Sequence, residues 1–304
     1  MERRIELIFN PAADRGRAGQ TAADLRALFE AHGGAHWSPT EHPNHAADIA
    51  ARAAADGFNV IVALGGDGTV HEVINGLMKI APAHRPVLGI VPIGSGNDFA
   101  GGVGVLRPAP EAARRVLAGE AKSVDVGVIR DEHGRVEYWD NACGIGFDAA
   151  VNLQSRTIKG LYGFAMYFAA TLKTIALNYD APHMKLKWDG GEADKPILML
   201  TVGNGPREGG GFQTTPDSKF DDGVLDFVTI DKVSRAMMLR LIPEVMSGKH
   251  GRFRQVMISR TTKLTLDADR PIPIHLDGEV FAHYESNVKH VEVEVIPGAI
   301  QLMQ

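Results

Sequence analysis

The chain holds one cysteine, Cys143, so no internal disulfide can close and the fold must rest on its apolar core. A lone thiol also fits a reducing compartment. Aromatic residues are few, at 7% of the chain, and no apolar run has the roughly 20 residues that a membrane-spanning helix needs. The stretch that comes nearest, Gly160 to Leu177, is short and interrupted by Lys173. Its pattern predicts an amphipathic core helix, or a helix that borders a lipid-binding cleft. Charge of either sign is not in large excess: a formal net charge of −5 gives no overall attraction to nucleic acid or to an anionic bilayer. Nucleic acid is therefore not an expected partner, and membrane contact requires a local patch. Met1-Glu2-Arg3-Arg4 leads directly into the apolar segment Ile5 to Phe9 with nothing that reads as a signal segment, and we expect a cytoplasmic protein.

What the sequence has instead is 44% hydrophobic and 23% charged residues, an ordinary soluble composition with enough chain for two cored domains. It also has two glycine-rich loops, each placed after a short apolar run, and neither carries a Walker A lysine. Val60-Ile61-Val62-Ala63-Leu64 has the length and β-branching of a buried strand, and Gly65-Gly66-Asp67-Gly68-Thr69 follows it. Helical spacing then begins at Val70, Val73, Ile74, Leu77 and Met78. Thr69 and Glu72 have the spacing of a capping box, which predicts a helix start at Thr69 with its free N–H groups and positive dipole end toward the loop. A phosphate suits that place. Glycines allow positive φ and close backbone approach, while Asp67 would repel a polyphosphate unless a divalent cation lay between them. Asp67 therefore predicts Mg2+. The second loop, Gly94-Ser95-Gly96-Asn97-Asp98, follows Val87-Leu88-Gly89-Ile90-Val91 and Pro92, with Ser95 and Asn97 as small polar contacts for phosphate or ribose.

Up to about residue 125 strands alternate with helices: strands at 5–9, 59–64 and 87–91, helices near 18–32, 44–56, 69–80 and 110–118. That order predicts an α/β domain with a largely parallel sheet. After Val124-Asp125-Val126-Gly127 the segments become short and alternating, as in Met184 to Trp188, Leu198 to Val202, Leu225 to Ile230, Lys263 to Leu266 and Val291 to Val295. These predict antiparallel β structure, interrupted by helices near 157–177 and 235–247.

Other groupings have plainer readings. His71-Glu72 lacks the second histidine of a zinc-protease helix, and His71 reads as a surface residue at the helix start. His32, His36, His42 and His45 match no common zinc spacing. Gly144 to Ala149 matches G-x-G-x-x-A without the βαβ unit that a dinucleotide site requires. Lys249-His250-Gly251-Arg252-Phe253-Arg254 reads as a solvated loop, with an interfacial patch led by Phe253 as the alternative. Lys219 to Leu225 reads as a hairpin turn, or as a cation site of carboxylate and backbone carbonyls. Asp277-Gly278-Glu279, between two extended segments, reads as a turn that also carries two acids.

GGDGTVHEVINGL at 65–77 and PIGSGNDFA at 92–100 resemble the two nucleotide loops of the diacylglycerol kinase and sphingosine kinase superfamily of lipid kinases. Asn10-Pro11, Asn141 to Ala149 and His275-Leu276-Asp277-Gly278-Glu279 are similar to that family's opening loop, the start of its second domain and its catalytic segment, in the same order. His71 stands where the family usually has Asn. The resemblance implies a phosphofructokinase and NAD kinase-like α/β domain at 1–125 and a mainly antiparallel β-sandwich lipid-substrate domain at 126–291. It further implies a tail, 292–304, that returns to the first domain. It implies ATP and Mg2+ as cofactors, nucleotide contacts at Asn10, Thr40, Gly65, Gly66, Asp67, Gly68, Thr69 and Ser95, and a structural Mg2+ at the Lys219 backbone, the Asp222 carboxylate and the Val224 backbone. Its catalytic acids are Asp277 as general base, with Glu279 as alternative base or orienting partner. The expected activity is transfer of the γ-phosphoryl group of ATP to a lipid hydroxyl, with diacylglycerol first, at a peripheral membrane contact; a homodimer is compatible with it. A soluble NAD kinase-like enzyme and a nucleotide-gated lipid-binding regulator are the rival readings.

Overall fold

The computed structural model describes residues 3–105, 108–177 and 179–303, apart from the side chains of Asp14 and Arg15. The chain divides into two compact units, residues 1–125 with 298–304, and residues 126–297. The first unit contains strands β1 (Ile5–Phe9), β2 (His36–Pro39), β3 (Val60–Gly65) and β4 (Val87–Pro92), with helices α1 (Ala13–Gly16), α2 (Ala18–Glu30), α3 (His45–Ala55), α4 (Asp67–Met78), α5 (Asp98–Gly102) and α6 (Ala109–Ala118). Its strands run in parallel in the order β4-β3-β1-β2. All six residues of β3 are buried, which is what a parallel strand covered on both faces requires and why it reads as an unbroken apolar run. Leu7, Leu25, Phe29, Val62, Leu64 and Val116 form part of the core on one face.

Helix α4 packs on α3 through Gly76, where an added Cβ would lie 2.9 Å from both the Ala47 Cα and the Ala50 Cβ. The helix starts at Asp67, two residues before the predicted capping box, because Gly66 is the N-cap and its carbonyl already accepts from Thr69 N and Val70 N. Glu72 instead caps the neighbouring helix: its carboxylate accepts from Asn44 N at 2.8 Å and Ala46 N at 3.1 Å, at the start of α3. His71 is buried, correcting its surface reading, and shares Asn75 as a partner at 3.3 Å.

The second unit begins within β5 (Ala121–Asp131) and continues through β6 (Val136–Trp139), β7 (Ala142–Gly146), α7 (Phe147–Ser155), α8 (Gly163–Leu177), β8 (His183–Trp188), β9 (Gly191–Gly203) and β10 (Leu225–Asp231). It ends with α9 (Arg235–Met246), β11 (Val256–Thr261), β12 (Lys263–Ala268), β13 (Ile274–Leu276), β14 (Glu279–Ala282) and most of β15 (His290–Met303). The pairing is antiparallel. The long strand β9 pairs with β8 over residues 191–196 and with β7 and β10 beyond, so one strand serves two parts of the sheet. Trp139, Ile145, Leu200, Phe227, Leu266 and Phe281 are among the side chains of the central core. A second core joins Phe147, Ala170, Leu198 and Val228 to Leu241 of α9. The helix predicted near 157–177 is α8, which starts at Gly163, and α7 precedes it over 147–155, where no helix is predicted; no described helix is long and apolar enough to cross a membrane.

Candidate functional site

In the first unit, Asn10, Thr40, the first glycine loop and the second glycine loop directly follow β1, β2, β3 and β4. All therefore lie at the carboxyl ends of neighbouring parallel strands, where open α/β sheets place their ligands. The two glycine loops are braced together. Ile93 N donates to Gly65 O at 2.9 Å, and Asn97 N donates to the Asp67 carboxylate at 2.7 Å. Glycine serves close approach here rather than positive φ: Gly66 is extended at φ −100°, and a Cβ on Gly94 would lie 2.5 Å from the Gly66 Cα. The Asn97 side chain, expected as a ligand contact, is used by the loop itself. It accepts from Gly94 N at 3.0 Å and donates to Gly94 O at 2.7 Å, holding Asn97 at φ 56°. Ser95 at the tip is exposed and Thr69 is buried. Asn10 closes an Asx turn by accepting from Ala12 N at 2.9 Å, and Thr40 N donates to Phe9 O at 2.8 Å.

A divalent cation fits this arrangement. A Cβ placed on Gly96 would lie 2.7 Å from one Asp67 oxygen and 3.7 Å from one Asp98 oxygen, so two carboxylates border a glycine at the start of helices. Hard oxygen donors of this kind suit Mg2+. The segment Lys219, Asp222 and Val224 is different. The Arg260 guanidinium is ion-paired with the Asp222 carboxylate, and its Nε lies 3.5 Å from Asp226. One guanidinium is thus shared by two carboxylates, and a cation at the Asp222 carboxylate would meet Arg260 there.

In the second unit, β13 and β14 form a hairpin across Asp277 and Gly278, both at positive φ (52° and 87°), the geometry of a tight two-residue turn. The Asp277 carboxylate accepts from three backbone N–H groups, Asp140 N at 3.0 Å and Asn141 N and Ala142 N at 2.9 Å each. Both oxygens are engaged. Asp277 thus anchors the turn onto the start of β7, whereas a general base needs a lone pair turned to its substrate. Glu279 is exposed, with Arg156 donating to its carboxylate at 3.0 Å. The Gly278 carbonyl accepts from Asn152 and from Arg156, each at 2.8 Å. Tyr167 of α8 completes the surroundings, its hydroxyl 3.4 Å from where a Gly278 Cβ would stand.

Behind the turn lies a cluster that sequence reading missed because its members are far apart in the chain. His275 Nε2 is 3.5 Å from Asp148 and 3.8 Å from Glu208. Among the described residues these three are the group of His and carboxylates close enough to share an ion. The hydrogen bonding argues otherwise. Gly278 N donates to His275 Nδ1 at 3.3 Å and Nε2 faces the two carboxylates, so both ring nitrogens are already engaged within the protein. Burial pushes the Asp148 carboxyl upward, but the hydrogen bond and electrostatic attraction of His275, followed by hydrogen bonds with Thr201 and Glu208, outweigh it and hold the group below its ordinary value. Burial also pushes the Cys143 thiol well up, with the charges of Asp277, Asp148 and Glu208 adding to it, so Cys143 is an inert core residue.

The basic run after α9 is a folded element rather than a free patch. His250 is fully buried against Thr214 O at 3.0 Å, Arg252 pairs with Glu244, and the guanidinium groups of Arg240 and Arg252 lie 5.6 and 5.5 Å from the Phe253 ring centre.

A parallel α/β unit carrying two joined phosphate-type loops, followed by a β-rich unit that presents an acidic hairpin, has the architecture expected of a two-domain kinase. Comparison with known proteins narrows the class. Residues 4–129 match the model of the diacylglycerol kinase catalytic domain, and residues 141–304 match the YegS C-terminal NAD kinase beta sandwich-like domain. A probable lipid kinase YegS-like protein of Chromohalobacter salexigens is 34% identical over 258 residues, covering 84% of this chain and 78% of the relative. The diacylglycerol kinase of Mycobacterium tuberculosis is 30% identical over 259 residues (84% and 80%), and that of Bacillus subtilis 26% over 284 residues (91% and 90%). A diacylglycerol kinase crystal structure from Bacillus anthracis shares the fold, with a TM-score of 0.74 at 21% identity over 99% of this chain and 96% of that one. The chain belongs to the diacylglycerol kinase-like family of lipid kinases.

Proposed function

We propose that this protein transfers the γ-phosphoryl group of ATP, with Mg2+, to the hydroxyl of a membrane-derived lipid, with diacylglycerol the first acceptor to test. The observation that carries the lipid reading lies in the second unit. The acidic hairpin is bordered by α8, a helix whose sole charged residue is Lys173 and which exposes Leu172 and Leu177 to solvent. An acid beside an apolar helix suits a hydroxyl attached to an apolar body. Peripheral contact with a lipid surface, from the cytoplasmic side, follows from such a substrate.

Phosphoryl transfer asks the protein mainly for positioning and charge neutralisation. In this reading Gly65, Gly66, Gly68 and Thr69 cradle phosphates at the start of α4, where free N–H groups and the dipole favour anions. Asn10, Thr40 and Ser95 contribute polar contacts from the adjoining strand ends. Asp67 holds Mg2+, with Asp98 beside it; when bound, the ion neutralises phosphate charge. Glu279 is the general base that takes the acceptor proton, Arg156 orients it, and Asp277 fixes the hairpin that carries it.

Incubation with γ-labelled ATP and a total lipid extract, read by chromatography of the organic phase, tests the proposal. Label should enter a lipid in the presence of Mg2+ and be lost in Asp67→Asn. Label passing to NAD instead would move the assignment to a soluble NAD kinase, and full transfer by Asp67→Asn would remove Asp67 from the site.

A further inference from the structure

We propose that the outward faces of α8 and α9 form one docking surface for an anionic lipid bilayer, which brings the acidic hairpin to the membrane. The inference deepens the lipid kinase reading and rests on it for the substrate.

Helix α8 is an unusual surface helix. Its only charged residue is Lys173, and a helix apolar on every side is ordinarily buried on every side. Here one face alone is buried, through Ala170, Thr171, Thr174 and Ile175, while Leu172 is 39% and Leu177 65% exposed. Helix α9 repeats the arrangement. Met238, Leu241, Ile242 and Val245 face inward, and the exposed side carries Ala236, Leu239 and Pro243 together with Arg235 and Arg240. The two helices cover the same core over Leu198 of β9 and Val228 of β10, and Arg235 Nε donates to Ile175 O at 2.9 Å. They lie side by side, so their outward faces turn the same way.

Charge selects the partner. The chain as a whole carries −5 and gains nothing overall from an anionic surface, so any attraction has to be local. Lys173, Arg235 and Arg240 on these helices and Lys232 just before α9 are all exposed. The one acid of the two helices, Glu244, is half-buried and paired with Arg252. Leucines flanked by basic side chains, with no exposed acid among them, fit the boundary between headgroups and acyl chains: the apolar tips enter and the cations meet lipid phosphates. A second copy of this chain would bring the same positive charge against itself. Tyr167, on the same α8, stands beside Gly278, so a bilayer along this face has the hairpin at its border.

Sedimentation of the full chain with vesicles tests the surface. The protein should pellet with vesicles of phosphatidylcholine and phosphatidylglycerol, far less with phosphatidylcholine alone, and added salt should release it. Arg240→Gln should weaken the binding about fivefold and Leu239→Ser about three- to tenfold, both with unchanged Tm because the side chains are exposed. Arg114→Gln, which removes one exposed charge from the first unit, should change nothing. No binding to either vesicle, equal binding to both, or the same loss in Arg114→Gln as in Arg240→Gln overturns the proposal. So does a wild-type dimer in sedimentation velocity that Leu239→Ser dissociates, which would make the face an interface between copies. Activity separates the surface from the kinase reading. Transfer to monomeric dihexanoylglycerol should be unaffected in Leu239→Ser, while transfer to dioleoylglycerol in the anionic vesicles falls with the binding. A protein that binds these vesicles through the face and labels neither acylglycerol would uphold the surface and remove diacylglycerol as the acceptor.

Discussion

Exchanging Asp277 for Asn should cost mainly stability, whereas exchanging Glu279 for Gln should cost mainly rate. Asp277 takes two backbone N–H groups on one oxygen and one on the other, at 2.9 to 3.0 Å. Asparagine keeps an oxygen for the paired donors, but must turn its NH2 toward the third. A hydrogen bond to a charged group is worth about 1.5–3 kcal/mol, so losing one and weakening two amounts to about 3 kcal/mol. The backbone adds little, because Asn tolerates the positive φ of 52°. For a protein of this size that corresponds to roughly 6–12 °C in Tm. Glu279 is exposed, and its pair with Arg156, with the two side chains 48% and 49% accessible, is a surface ion pair worth about 0–1 kcal/mol. Glu279→Gln should therefore melt almost as the wild type while kcat falls about 10²–10⁴-fold. Differential scanning fluorimetry and steady-state phosphorylation of dioleoylglycerol measure the two axes. Should Asp277→Asn keep its Tm and lose turnover while Glu279→Gln keeps both, the roles assigned to the two acids are reversed and the reasoning from hydrogen bonding fails.

Arg260 already neutralises Asp222, so chelation should leave the Tm of the wild type unchanged, while Arg260→Met should become stabilised by millimolar Mg2+. A fall in wild-type Tm on chelation would restore the cation at Lys219, Asp222 and Val224. Burial holds the imidazole of His250 below its ordinary value, with partial compensation from Thr214 O. A depressed folded-state value means that its contribution is complete above the unfolded value of about 6.5 and is lost as pH falls toward the folded one. Thermal stability should therefore decline from pH 7 to pH 5, and the decline should be shallower in His250→Gln; parallel curves for the two proteins would exclude His250 as its source.

Much of the first unit is legible in the sequence because its signals are local. A β-branched run, a glycine loop and an apolar helical stripe follow one another within about 20 residues at Val60 to Met78, and each constrains the next. What escapes is what depends on distant partners. Thr69 and Glu72 have the spacing of a capping box, yet Glu72 finds its donors at Asn44 and Ala46 on the next helix. Nothing near Asp277 announces that its oxygens are taken by Asp140, Asn141 and Ala142, across a strand pairing more than a hundred residues back. The same holds for Arg260 on Asp222 and for the meeting of Asp148, Glu208 and His275. Helix α7 is hidden for another reason: Gly146 at φ 74° turns the chain straight from β7 into it, so no polar loop marks the boundary.

Strand β15 has a consequence for how the molecule is made. Residues 298–304 belong to the first unit, where Leu302 pairs in parallel with Leu88 of β4, while residues 126–297 form the second unit without a break. The first unit to emerge in synthesis is therefore the last that can be completed. Its edge at β4 waits, unpaired, while the whole of the other unit is translated, and domains tend to fold as units when their sequence is available. A chain stopped after Pro297 would carry a finished second unit and a first unit still open along β4, in the half of the protein that holds the nucleotide loops.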